Sequence, residues 1–174
     1  MKLSFTGKAM LIKLRHTIQR LRRDESGTAL VEMTLVAPLM LLLSAGVFEF
    51  SNIIYTRLLL EAGVEDGARY MARCNDSDWA TCETYGKNLA VNGAIRDGSP
   101  RVQGWTTGIV TVTKKSFLTD PNNNGAQLYL SSTGAVDVVQ VSTSLAYTGI
   151  GLWSYLGFGT INITASHQER VFGW

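Results

Sequence analysis

Cysteine and histidine are scarce in this 174-residue chain, which has two of each: Cys74 and Cys82, His16 and His167. So few soft donors leave a zinc site short of ligands. Seven residues separate the cysteines, so the Cys-x-x-Cys spacing of redox catalysts is missing too. No nucleophile stands beside a base, and the acids of the carboxy-terminal part are scattered, so no catalytic constellation forms. The glycine-rich stretch 149–159 lacks phosphate-loop spacing. The expectation is a non-enzyme without cofactor or resident metal. Formal charge is the other absence: residues 33–48 carry none.

That uncharged run organises the chain. Its sixteen residues, at about 1.5 Å each, make ~24 Å of helix, short of a hydrocarbon core of roughly 30 Å. A spanning helix must therefore recruit flanking residues, from Thr28 to Tyr55, and with them Glu32 and Glu49, one near each end. A carboxylate at the bilayer centre costs on the order of 2.5 to 3.5 kcal/mol and less near the interface, so both glutamates read as positional. An ordinary signal anchor with acids at its ends is the plainer reading. Pro38, inside the run, removes one helical hydrogen bond and is expected to kink or locally melt the helix.

Orientation comes from residues 1–27, read as a basic cytoplasmic leader. Seven basic side chains stand there against Asp24 and Glu25, a net +5; since the whole chain carries +2, the remainder carries −3. The positive-inside bias places the amino terminus in the cytoplasm and residues 74–174 outside. The basic pI thus belongs to the leader, and nucleic acid is excluded as a partner. No small-x-small signal closes the apolar run, which argues against a secretory signal peptide. Leu11, Leu14, Ile18 and Leu21 fit either a basic amphipathic helix on an anionic leaflet or a disordered tail.

Gly27 followed by Thr28-Ala-Leu-Val-Glu32-Met33 resembles the cleavage site of type IV prepilins, where a peptidase cuts after the glycine and a glutamate stands fifth in the mature chain. The wider stretch from Arg22 through Pro38, Phe48-Glu49-Phe50 and Gly67-Ala-Arg-Tyr70 is similar to the TadE-like pseudopilins of tight-adherence (Flp-type) pilus systems, over about residues 22 to 73. Met33 stands where the major pilins have an aromatic, and the leader is long, so a minor subunit fits better than the main filament protein. The resemblance implies a single-pass protein of the bacterial inner membrane, with its carboxy-terminal domain periplasmic. It further implies processing by a prepilin peptidase and partnership with other pilin subunits, inner-membrane assembly proteins and the lipid bilayer. Assembly and adhesion would be its roles; whether it enters an extracellular filament stays open. The alternatives are an uncleaved membrane-anchored scaffold, or a tethered module that binds through its glycine-rich loop.

Beyond the span the helix is expected to run on to about Arg73, closing a segment 28–73. Leu60, Val64, Ala68 and Met71 form one apolar stripe, with Glu65–Arg69 and Asp66–Arg69 as surface pairs. Gly63 and Gly67 permit close approach of another backbone, either a second subunit's helix or this chain's own sheet. Outside the cytoplasm Cys74 and Cys82 read as a disulfide. A second helix is expected over 84–97, then strands at 108–114, 127–131, 137–147 and 160–171. The fold class is therefore α+β: a long membrane-spanning helix continuing into a small antiparallel, pilin-like sheet domain. The loop 149–159 reads as a lipid or subunit contact, or as a turn on its own core. Asp120, Asn122 and Asn124 match the first half of a calcium loop, but Ser131 replaces the bidentate glutamate, and a plain turn explains the same residues.

Overall fold

The computed structural model describes residues 25–174 except 121, 123, 124, 129, 130, 132, 133, 150, 158, 173 and 174. The leader positions through Asp24 lie outside the described residues. The chain forms two compact units, residues 1–47 and 48–174, and its fold is α+β: a long apolar helix followed by a three-stranded antiparallel sheet.

In the first unit the described residues are helical throughout, as the amino-terminal part of α1 (Glu25–Met71). The helix runs through Pro38 unbroken, so of the kink or local melting expected there the melting does not occur. Proline removes one rung, and the leucines and alanine around it are strong helix formers that hold the rest of the ladder. The polar side chains Thr34 and Ser44 bond inward: their hydroxyls donate to the carbonyls of Leu30 and Met40, at 2.7 and 2.8 Å. Among lipid tails such internal partners are needed.

The second unit begins with the rest of α1. Leu60, Val64, Ala68 and Met71 are fully buried along one face, the stripe expected from their spacing. A 3₁₀ turn, Asp76–Asp78, leads into α2 (Trp79–Asn92), earlier than the expected 84–97. Asn75 caps the 3₁₀ turn, its side-chain oxygen accepting from the Ser77 amide, and α2 follows directly from that turn. The end is set by Gly93, which takes up the left-handed conformation (φ 72°) and donates its amide to the Leu89 carbonyl.

The sheet comprises β1 (Val110–Leu118), β2 (Ala135–Tyr147) and β3 (Ile161–Arg170) in that order, with the short α3 (Leu152–Tyr155) between β2 and β3. Val110 opposes Thr143, which opposes Ala165. Alternation decides the faces: Val139, Val141, Leu145, Ile163 and Ala165 join the helical stripe in one core, while Thr111, Ser144, Asn162 and Thr164 are exposed. The expected strand at 127–131 is not found: Gln127, Leu128 and Ser131 are not in a strand, and 129–130 lie outside the described residues. Among the described residues the Leu128 amide donates to the Thr119 carbonyl at 2.8 Å and the Ser131 hydroxyl to the Ala135 carbonyl at 2.6 Å.

Trp105 is the core's largest fully buried side chain. Its indole donates to Thr143 Oγ1 at 3.0 Å, and that hydroxyl donates on to the Ile109 carbonyl at 3.1 Å, so the buried polar atoms are paired. Gly63 makes room for it: a Cβ there would run into the Trp105 ring and the Ala90 carbonyl. At Gly67 the close neighbours are Gly86 and Ala90. The backbone that the two glycines admit is thus α2 of the same chain.

Candidate functional site

On the apolar half of α1, Gly27, Thr28 and Glu32 are all exposed, and the space around Gly27 is open, with nothing within 4 Å of where a Cβ would stand. Pro38 is exposed as well. So are Leu30, Val31, Leu35, Leu39 and Leu41, distributed around the helix, and the spanning window has a mean hydropathy of 2.0 with none of it buried. Such a helix has no protein core to face. Length and composition fit a single-pass membrane anchor.

Glu49 behaves differently from Glu32. It is 1 % exposed, enclosed by the second unit's own residues. The Glu49 carboxylate lies over Gly149, where φ is +42° and an added Cβ would run into Glu49 Oε1 and the Tyr147 ring. Tyr147 OH accepts a hydrogen bond from Asn52 Nδ2 at 2.8 Å. Burial pushes the Tyr147 phenol above its ordinary range; the Asn52 bond opposes this, and the charge and hydrogen bonding of Glu49 add to it. A pocket of about 230 Å³ beside Glu49 is walled by Tyr147, Thr148, Trp153 and Thr160. Sequence reasoning singled out Glu49 but missed its enclosure; the one local signal was a glycine two residues after the end of a strand.

Between residues 33 and 56 Glu49 carries the only formal charge. With that carboxylate covered, the surface of α1 is uncharged over 24 residues, about 36 Å at 1.5 Å per residue. The shortfall of the bare sixteen-residue run is thereby removed without exposing an acid to lipid.

Cys74 and Cys82 form the expected disulfide, with Cα atoms 6.3 Å apart. Its loop is tied to the sheet by Lys114, whose Nζ lies 2.6 Å from Asp76 and 3.0 Å from Asp137, and 5.2 Å from the centre of the Trp79 ring. The Asp76 hydrogen bond, before other causes, raises the Lys114 ammonium above its ordinary value. Asp137 is held low, first by the hydrogen bond from Ser116 and then by Lys114. The Glu65–Arg69 pair forms, but Asp66 does not turn to Arg69. It pairs with Arg101 at 2.5 Å, because the chain after α2 returns across α1 and offers a half-buried guanidinium that also reaches the Leu89 carbonyl.

Asp120 accepts the Gly125 amide at 2.6 Å, closing the turn on itself. Asn122 lies in that turn and Asn124 outside the described residues; among those described, no cluster of three acidic, histidine or cysteine ligands exists. His167 sits in β3 with Nε2 3.1 Å from Glu169, and His16 lies outside the described residues. The structure therefore leaves Gly27, Thr28 and Glu32 exposed on the helix and gathers the half-buried Tyr147 and the exposed Asn52 around the buried Glu49.

Residues 27–69, about a quarter of the chain, match the family model described as TadE-like protein. The match begins at Gly27 and ends within the buried stripe, and it supports a pilin-like protein associated with tight-adherence pili, a structural family and not one of enzymes. No curated protein and no solved structure matches the chain.

Proposed function

With a chain that is TadE-like over residues 27–69 as the premise, we propose that it is a minor pilin-like structural subunit needed to assemble a tight-adherence type IV pilus. A prepilin peptidase cuts it between Gly27 and Thr28. The observation that carries this reading is the start of the family match at Gly27, on an exposed stretch where nothing crowds the glycine. Lacking a side chain, glycine lets a peptidase come close to the scissile bond.

Before cutting, the leader's positive charge holds the amino terminus in the cytoplasm and the carboxy-terminal unit in the periplasm. Cutting removes the leader and leaves a new ammonium on Thr28. Glu32 then lies about 6 Å along the helix, close to the apolar zone where a lone carboxylate is costly. Pairing with the ammonium of an adjacent subunit offsets that cost and sets the axial register between helices.

Mass spectrometry of the mature amino terminus tests the reading. Gly27→Leu should leave the full-length form in the membrane, and Glu32→Ala should be processed yet poorly incorporated. A mature protein that starts anywhere but Thr28, or a functional filament from Gly27→Leu, would overturn the proposal in favour of an uncleaved scaffold.

A further inference from the structure

A patch on the second unit has no place in the processing reading. Tyr155 is 87 % exposed at the end of α3, with Leu156 next to it also exposed. On the adjoining turns of α1, Phe50 and Ile54 are exposed too. The two sets belong together because α3 is pinned to α1: the Trp153 ring meets the Phe50 ring edge-on, with centroids 6.1 Å apart.

Charge is missing from the two segments that carry the patch. No Asp, Glu, Lys or Arg occurs from 138 to 168, and on α1 none lies between Glu49 and Arg57. Glu49 itself is covered. An exposed aromatic and aliphatic patch without charge is costly in water.

We infer that this patch is a membrane-interface platform: Tyr155, Leu156, Phe50 and Ile54 seat in the headgroup layer of the bilayer that α1 spans. Continuity along α1 selects lipid as the occupant. A hydrocarbon core of roughly 30 Å takes about twenty helical residues, so a span that starts at Met33, next to the exposed Glu32, ends near Asn52, between Phe50 and Ile54, and the headgroup layer begins there. Tyrosine and tryptophan are the side chains that collect there, the ring toward the tails and the polar atom toward water. Burial of Glu49 is what makes the seat possible, since an exposed carboxylate at that depth would oppose it.

This inference rests on the membrane-spanning reading of α1, and the test separates the two. The full chain, with its disulfide kept oxidised, is placed in vesicles of phosphatidylcholine and phosphatidylglycerol carrying doxyl lipids. A nitrobenzoxadiazole dye is attached to one introduced cysteine at a time: Tyr155→Cys, Thr113→Cys on the exposed sheet face, or Leu42→Cys within the span. Shallow doxyl groups should quench the dye at 155 about threefold more than at 113, and deep ones should quench it at 42. Quenching at 42 with 155 no different from 113 overturns the platform alone. No quenching at 42 overturns the span and the platform with it. As a second variant, Leu156→Asp with the dye at Ser154→Cys should lose most of the shallow quenching seen at 154 with Leu156 intact; unchanged quenching overturns the platform.

Discussion

The two ends of α1 share a helix and differ in what covers it. Up to Val47 the leucines point in every direction and stay exposed, whereas from Leu60 onward the apolar residues fall on one stripe and vanish into the core with Trp105, Val139 and Val141. An all-round apolar surface needs an apolar solvent, and a stripe needs only a sheet. The glycines differ in the same way. Gly46 has nothing within 4 Å of a would-be Cβ, while Gly63 is pressed by Trp105 and Ala90. Burial in this protein is therefore assigned by neighbours, and equal hydrophobicity at two positions carries different energetic weight.

Substitutions at matched positions can break that contrast, and each is read as unfolding of the full chain in detergent micelles. Trp105→Ala should have the largest effect, about 3 to 5 kcal/mol, because it opens a cavity and leaves the Thr143 hydroxyl without its donor. A loss under about 1 kcal/mol would mean that the core does not depend on this residue. Leu60→Ala should cost about 2 to 5 kcal/mol, but Leu39→Ala should stay within about 0.5 kcal/mol. Equal effects at the two leucines would erase the distinction.

Glycine substitutions sharpen it by reversing sign. Gly63→Ala overpacks against the Ala90 carbonyl and should destabilise by about 1 to 3 kcal/mol, whereas Gly46→Ala relieves a helix-interior glycine and should be neutral or stabilising by up to about 1 kcal/mol. Destabilisation by both would show that the first stretch is packed after all.

The smallest effect concerns pH. Because Ser116 and Lys114 hold the Asp137 carboxyl below its ordinary value, its contribution is present above about pH 4 and is lost as pH falls through the lower folded value. Asp137→Asn should cost roughly 0.5 kcal/mol at neutral pH, kept small by solvent screening, and should flatten the acid limb of the stability curve. An unchanged acid limb would place the acid sensitivity of the second unit elsewhere.

Local rules were enough for much of this molecule. The uncharged run from 33 to 48, the 3.6-residue stripe from Leu60 to Met71, the alternation in β3 and the isolated cysteine pair all depend on period or composition, so they could be read in one dimension. The TadE-like stretch was legible in the same way, and the family match covers residues 27–69. Element ends were less legible. α2 stops at Gly93 because the glycine caps it, not at the later Gly98-Ser-Pro100, and Gln127, Leu128 and Ser131 lie outside any strand despite the strand-like composition around them.

What the sequence determined by itself is thus which surfaces must leave water: hydrophobic spacing along the chain is an intrinsic property that folding only expresses. Tertiary structure alone decided which partner each special residue meets. Asp66 reaches Arg101 and not Arg69, Gly63 admits Trp105 and α2, and Glu49 is enclosed by Tyr147 and Gly149, about a hundred residues away. The physical reason is that a charge or a missing side chain has no period: its meaning depends on distances that exist only once strands and helices have packed.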